Sequence, residues 1–190
     1  MVVALSGRRI DAPGTEPPVF PLAASDWVRT ELRALFQARH AKTLVCSAAC
    51  GADLIALEEA GALGMRRRII LPFALGTFRE TSVVDRPGYW GPLFDQVIAE
   101  VHACADLVDL GIASEPDSSY RKAGEAILEE AAFLAARGAE EVLAVLVWNQ
   151  VSRGEGDVTH AFGKAARDRG WCVLEVRTLP GEPLLGAGGV

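Results

Sequence analysis

The chain has 190 residues, half of them hydrophobic and 23% charged, with 19 basic side chains against 25 acidic ones and a net charge of −6. That length suits one domain of roughly 100–200 residues with its own core, and the apolar fraction excludes a disordered chain. No apolar run reaches the ~20 residues that span a bilayer, no basic segment precedes the short apolar start as in a signal peptide, and the acidic balance disfavours a nucleic-acid partner.

The expectation is therefore a cytoplasmic protein with no membrane contact. Cys46, Cys50, Cys104 and Cys172 are scattered through apolar segments and read as buried thiols of a reducing compartment. Cys46 and Cys50 have a loose zinc-ligand spacing, but no second pair or nearby His completes a set, so no metal is expected.

In chain order, residues 2–6 form a short apolar run closed by Gly7, a buried strand. Residues 11–21 hold Pro13, Pro17, Pro18 and Pro21 and form a loop, expected to overhang the strand end as a semi-rigid rim. Ser25 and Asp26 offer caps for a helix through residue 39, whose Val28, Leu32, Leu35 and Phe36 make one apolar stripe. Strands follow at 43–47, 68–73 and 106–110, with helices at 53–63 and 92–104. A long helix from Ser118 or Ser119 ends near Gly138. Residues 141–148 are the most apolar, β-branched strand, followed by a helix at 158–169 and a strand at 171–176. Residues 1–178 read as one domain and 179–190 as a flexible tail. Apolar strands separated by helices need cover on both faces, which predicts a Rossmann-like three-layer α/β sandwich with a mostly parallel sheet of five or more strands.

Ligands of such sheets bind beyond the carboxyl ends of the strands, so four strand ends matter. At the first, Ser6 and Gly7 precede Arg8 and Arg9, either a tight turn with solvated arginines or a close backbone approach with guanidinium contacts to an anion. At the second, the small residues Ser47, Ala48, Gly51 and Ala52 expose backbone N–H groups at a helix start, where Asp53 either caps the helix or accepts from a ribose. Ser47 and Cys50 are also nucleophile candidates at that helix start. At the third, Phe73, Phe78, Ser82, Val83 and Trp90 form either an apolar wall for a base or a satellite core. At the fourth, Asn149 and Gln150 are suited to reading a base edge, and Gly156, Asp157 and Thr159 sit in a glycine-rich loop before a helix, with His160 close by.

Taken together, SGRRID, SAACGADLIALEEAGALG, IILPF followed by F-x3-SV, and LAVLVWNQ resemble the SLOG superfamily, Rossmann-like domains related to the DNA-processing protein DprA and to LOG-type nucleotide hydrolases. The resemblance runs from Val2 to Val176. It implies a nucleotide or nucleotide-derived ligand over the strand ends. The family's first Ser-Gly falls on Ser6 and Gly7, its small-residue turn with an acidic residue on Ala48, Gly51 and Asp53, its helix glutamate on Glu58, and its Gly-Thr phosphate loop on Gly156 and Thr159. The hydrolases' PGGxGT motif does not occur in this chain.

Two functions follow from that resemblance and those strand ends. One is a sensor or signalling module that binds a nucleotide-derived small molecule. The other is a small hydrolase or transferase acting on an N-glycosidic bond of a nucleotide or NAD-like substrate, with Glu58 or Asp53 as its carboxylate. Apolar helix surface on a domain of this size also fits a two-fold homodimer.

Overall fold

In β1 (Val2–Gly7) and β5 (Val142–Trp148) alternate side chains point to opposite faces, yet nearly all are buried, so both faces carry helices. The structure, a computed structural model, describes residues 1–112 and 116–179, and side chains of 116 and 117 are left aside. Its other elements are α1 (Ser25–Ala38), β2 (Thr43–Cys46), α2 (Ala52–Ala62), β3 (Arg66–Leu71), α3 (Leu75–Ser82), α4 (Trp90–Ala103), β4 (Leu107–Asp109), α5 (Pro116–Gly138), α6 (Val158–Asp168) and β6 (Cys172–Arg177). The six strands form one sheet in the order β4-β3-β2-β1-β5-β6, parallel throughout.

The alternation divides the core in two. Val3, Leu5, Leu44, Cys46, Ile69 and Val145 pack with α1, α2, α3 and α4 on one face. Val2, Ala4, Val45, Ile70 and Leu146 pack with α5 and α6 on the other. This is the expected Rossmann-like three-layer sandwich, with all six strands parallel. No helix among the described residues is long and apolar enough to cross a membrane.

One element differs from the sequence reading. Residues 75–82 form α3, where the sequence shows only an aromatic cluster. With just Phe78 and Ser82 buried four residues apart, the helix is too short for its apolar period to stand out. The expected tail lies outside the described residues apart from Leu179. Residues 11–21 fold back on themselves, with the Asp11 carboxylate accepting from the backbone N–H groups of Val19 and Phe20 at 2.9 Å, and Phe20 is fully buried.

The turn between β2 and α2 depends on Gly51, whose φ is +93°. A Cβ there would lie 2.8 Å from the Ile10 nitrogen and 2.9 Å from the Arg8 oxygen, both backbone atoms. This glycine therefore serves the packing of the chain leaving β1, which corrects the sequence reading of a glycine kept small for a ligand. Gly51→Ala should destabilise the fold by about 1–3 kcal/mol. Gly154→Ala, at φ +88° but in open space, should destabilise it by only about 1 kcal/mol. Urea denaturation of the two variants checks the contrast.

Candidate functional site

Strand order runs outward from β1 through β2, β3 and β4, then crosses to β5 on the other side of β1. The reversal falls between β1 and β5. The loops leaving these two strands diverge there and open a crevice at their carboxyl ends. A cleft of about 640 Å³ occupies it.

The cleft is framed by a buried ion pair. The Arg8 guanidinium, 5% exposed, donates to both Asp157 oxygens at 2.8 and 2.7 Å and to the Val151 carbonyl at 2.9 Å. It lies 5.7 Å over the Trp148 ring, against which His160 also stacks at 6.1 Å. Asp157 further accepts from the backbone N–H groups of Arg153 (2.8 Å) and His160 (3.1 Å), the latter as the N-cap of α6. Burial alone would raise the Asp157 pKa, but Arg8 and the two backbone donors outweigh it and hold the carboxyl at about 2.

Arg9 and Arg86, also on the cleft wall, share Asp85, at 3.0 and 2.9 Å. Arg153 differs from these three. Among the described residues no hydrogen bond or ion pair holds its guanidinium. Desolvation, then the positive charge of Arg8, lowers its pKa. Close beside it, Thr159 lines the cleft at 3% exposure, and its hydroxyl has no partner among the described residues. Gly156, Val158 and Thr159 bring the first turn of α6 to the same wall.

The facing wall is apolar. Phe78 and Ile127 are buried, Ala123 and Gly124 leave room beside them, and Tyr120 stands at the edge with its hydroxyl 2.7 Å from that of Ser82. Phe73 packs behind this wall, 5.9 Å from both Phe78 and Tyr120.

Asp53 lies on the floor, in the first turn of α2, at 8% exposure. Its one hydrogen bond comes from the Ala49 N–H at 3.2 Å. Burial pushes its pKa up to about 7, and that single donor lowers it only in part.

Of the residues singled out in the sequence, Ser6, Gly7, Arg9, Ser47, Asp53, Gly156 and Thr159 line the cleft together. Ala48, Gly51 and Ala52 are buried beneath the turn. A Cβ on Gly7 would meet that of Ala52 at 2.3 Å, so both stay small to let β1 pack on α2. Trp90 is outside the cleft, buried at the start of α4 with its indole N–H donating to the Pro87 carbonyl at 2.8 Å. Asn149 is half-buried at the end of β5 and does not line the cleft. Glu58 is likewise elsewhere: it pairs with Arg29 of α1 at 2.6 Å, beside the buried Glu59 that Arg29 and Arg33 both hold. Its place in the α1–α2 contact, set by the face of α2 it occupies, removes it as the cleft's carboxylate. Cys50 is buried and its thiol raised to about 11, mainly by desolvation, which makes it a poor nucleophile at neutral pH. Cys104 and Cys172, read as buried, are exposed.

The sequence reading missed Tyr120, Ala123, Gly124 and Ile127 because α5 approaches the cleft from the far side of the sheet. It also missed Arg153, which looks like one more charge in a polar loop. The pairing of Arg8 with Asp157, 149 residues apart, had no local signal.

No family model matches the chain, and no curated protein matches it. Among solved structures, one similar chain is DNA processing protein A (DprA) from Streptococcus pneumoniae, solved by X-ray crystallography, with 12% sequence identity and a TM-score of 0.40. The alignment covers 92% of this chain and 58% of that one, so the chain spans rather more than half the length of that protein. At that score the likeness says nothing about the site. What the strand order and the crevice define on their own is a Rossmann-like α/β protein with a cleft at its switch point.

The raised Asp53 pKa has a sign. In the unfolded chain this carboxyl ionises near its ordinary 3.8, and in the fold near 7. Stability is therefore lost as pH rises from about 4 to about 7 and is level above that, an effect of at most about 4 kcal/mol. Asp53→Asn lacks this loss. Urea unfolding should find the variant increasingly more stable than the parent across that window, and equal separation at every pH would contradict it.

Proposed function

We propose that the cleft between β1 and β5 binds a nucleotide or nucleotide-derived small molecule, and that the protein is a binding module of the sensor type. The observation that carries this reading is the pairing of two unlike walls. On one stand the exposed Arg153 and the Thr159 hydroxyl, neither with a side-chain partner among the described residues, beside the first turn of α6. The other is the apolar surface of Phe78, Tyr120 and Ile127 with the small Ala123 and Gly124. An unneutralised guanidinium, a hydroxyl and free N–H groups at a helix start suit a phosphate. A flat apolar slot suits a base.

The SLOG resemblance, carried by Ser6, Gly7, Ala48, Gly51 and Asp53, implies the same class of ligand, although Gly156-Asp157-Val158-Thr159 departs from the family's Gly-Thr phosphate loop. The cleft sets Arg8, Arg9, Arg86 and Arg153 among Asp11, Asp53, Glu155 and Asp157, a mixed lining without the continuous basic face that a nucleic-acid backbone requires.

A thermal-shift panel of AMP, ADP-ribose, NAD and a cyclic dinucleotide tests the reading. At least one should raise the melting temperature, by an amount equivalent to about 2.7 kcal/mol at 100 times its Kd. Arg153→Ala should weaken that ligand tenfold or more, the loss of a charge-assisted contact worth about 1.5–3 kcal/mol. Thr159→Val should weaken it several-fold with little change in the free protein's stability. Silence from all four at millimolar concentration would overturn the proposal.

A further inference from the structure

Resting on that reading, we propose that Asp53 determines ligand specificity by meeting the ligand as a neutral carboxylic acid, donating a hydrogen bond to an acceptor atom placed on the cleft floor. One oxygen accepts from the Ala49 N–H at 3.2 Å, and among the described residues no cation pairs with either oxygen. The side chain is mostly buried but borders the cleft, so a ligand group entering there takes the place of water against it.

The charged and titratable groups around it are already committed. From the chain leaving β1, Arg8 is held by Asp157, and Arg9 by Asp85 and the Thr81 carbonyl. Arg86, after α3, is also on Asp85. On β2, the buried Cys46 thiol is raised well above its ordinary value, first by burial and then by the Asp53 charge, so it stays neutral. On α5, Tyr120 bonds to Ser82. The α6 loop contributes Arg153, Glu155 and Asp157 to the opposite wall. None of these gives Asp53 a counter-charge that would hold it ionised. Burial accordingly favours the acid, which is a donor where a carboxylate is only an acceptor. Above neutral pH, ligand binding must return a proton to this group from solvent.

ADP-ribose is the probe, because its pyrophosphate does not titrate between pH 6 and 8.5. With the carboxyl changing form near pH 7, the binding-competent fraction falls from about nine-tenths to about one-thirtieth over that range. Calorimetry should find the Kd roughly 30-fold weaker at pH 8.5, with close to one proton taken up per ligand bound there. Asp53→Asn, whose amide is a permanent donor, should bind within a few-fold of the parent's pH 6 affinity at every pH. Asp53→Ala should be weak throughout, and His102→Gln, exposed on α4 and away from the cleft, should keep the parent's profile.

A pH-independent parent affinity with a weak Asp53→Asn would mean an ionised carboxylate accepting from ligand hydroxyls, and would overturn this proposal while leaving the nucleotide reading intact. So would an Asp53→Ala that binds as well as Asp53→Asn, since the carboxyl would then only repel. No ADP-ribose binding at any pH also overturns it, whereas the nucleotide reading falls only if all four panel members are silent.

Discussion

The Arg8–Asp157 pair is the contact on which the cleft depends. It joins the residue after β1 to the N-cap of α6 across the point where strand order reverses. Both side chains are buried, so each removes a desolvation penalty the other would suffer alone. Such a pair adds little net stability against an apolar replacement, yet breaking one side of it costs several kcal/mol. Its value here is positional. Because Asp157 also receives the N–H groups of Arg153 and His160, the pair sets the path of the loop that carries Arg153 and the first turn of α6. Without it, the wall that carries Arg153 would lose its tie to the residue after β1.

The distribution of charge in the cleft follows from that commitment. Arg8 is paired with Asp157, while Arg9 and Arg86 share the single carboxylate of Asp85. Arg153 is exposed and has no ion pair among the described residues, and desolvation and then its positive neighbour Arg8 lower its pKa. Asp53 is the opposite case, a carboxyl held among apolar neighbours with one donor and no cation. A buried carboxyl on a cleft wall whose pKa is raised by desolvation is a candidate functional group.

The fold was legible because it is written in local patterns. The unbroken apolar runs at 142–148 and 2–5 require cover on both faces, and helices such as the striped α1, which starts at Ser25 without the side-chain cap expected of Ser25 or Asp26, supply it. That logic fails where an element is short, as in α3, whose single turn spacing from Phe78 to Ser82 gives no period. The site was half legible. Ser6, Gly7, Asp53 and Thr159 follow strands in the chain, and strand ends can be found in sequence. Tyr120 and Ile127 come from a helix passing over the sheet edge, and Asp157 finds Arg8 across 149 positions, so only the folded chain brings them in. Glu58 illustrates the reverse error. A glutamate five residues after Asp53 sits on another face of α2, and that face belongs to α1.

The central claim is the location of the ligand between β1 and β5, with its anionic part on the loop before α6. Amide chemical-shift mapping of the uniformly ¹⁵N-labelled protein, titrated with ADP-ribose, tests this directly. The account predicts that the largest shifts fall on residues 6–12 and 153–159, with a second group around 120–127. Shifts concentrated instead beyond the ends of β3 and β4, around residues 72–76 and 109–112, would contradict it.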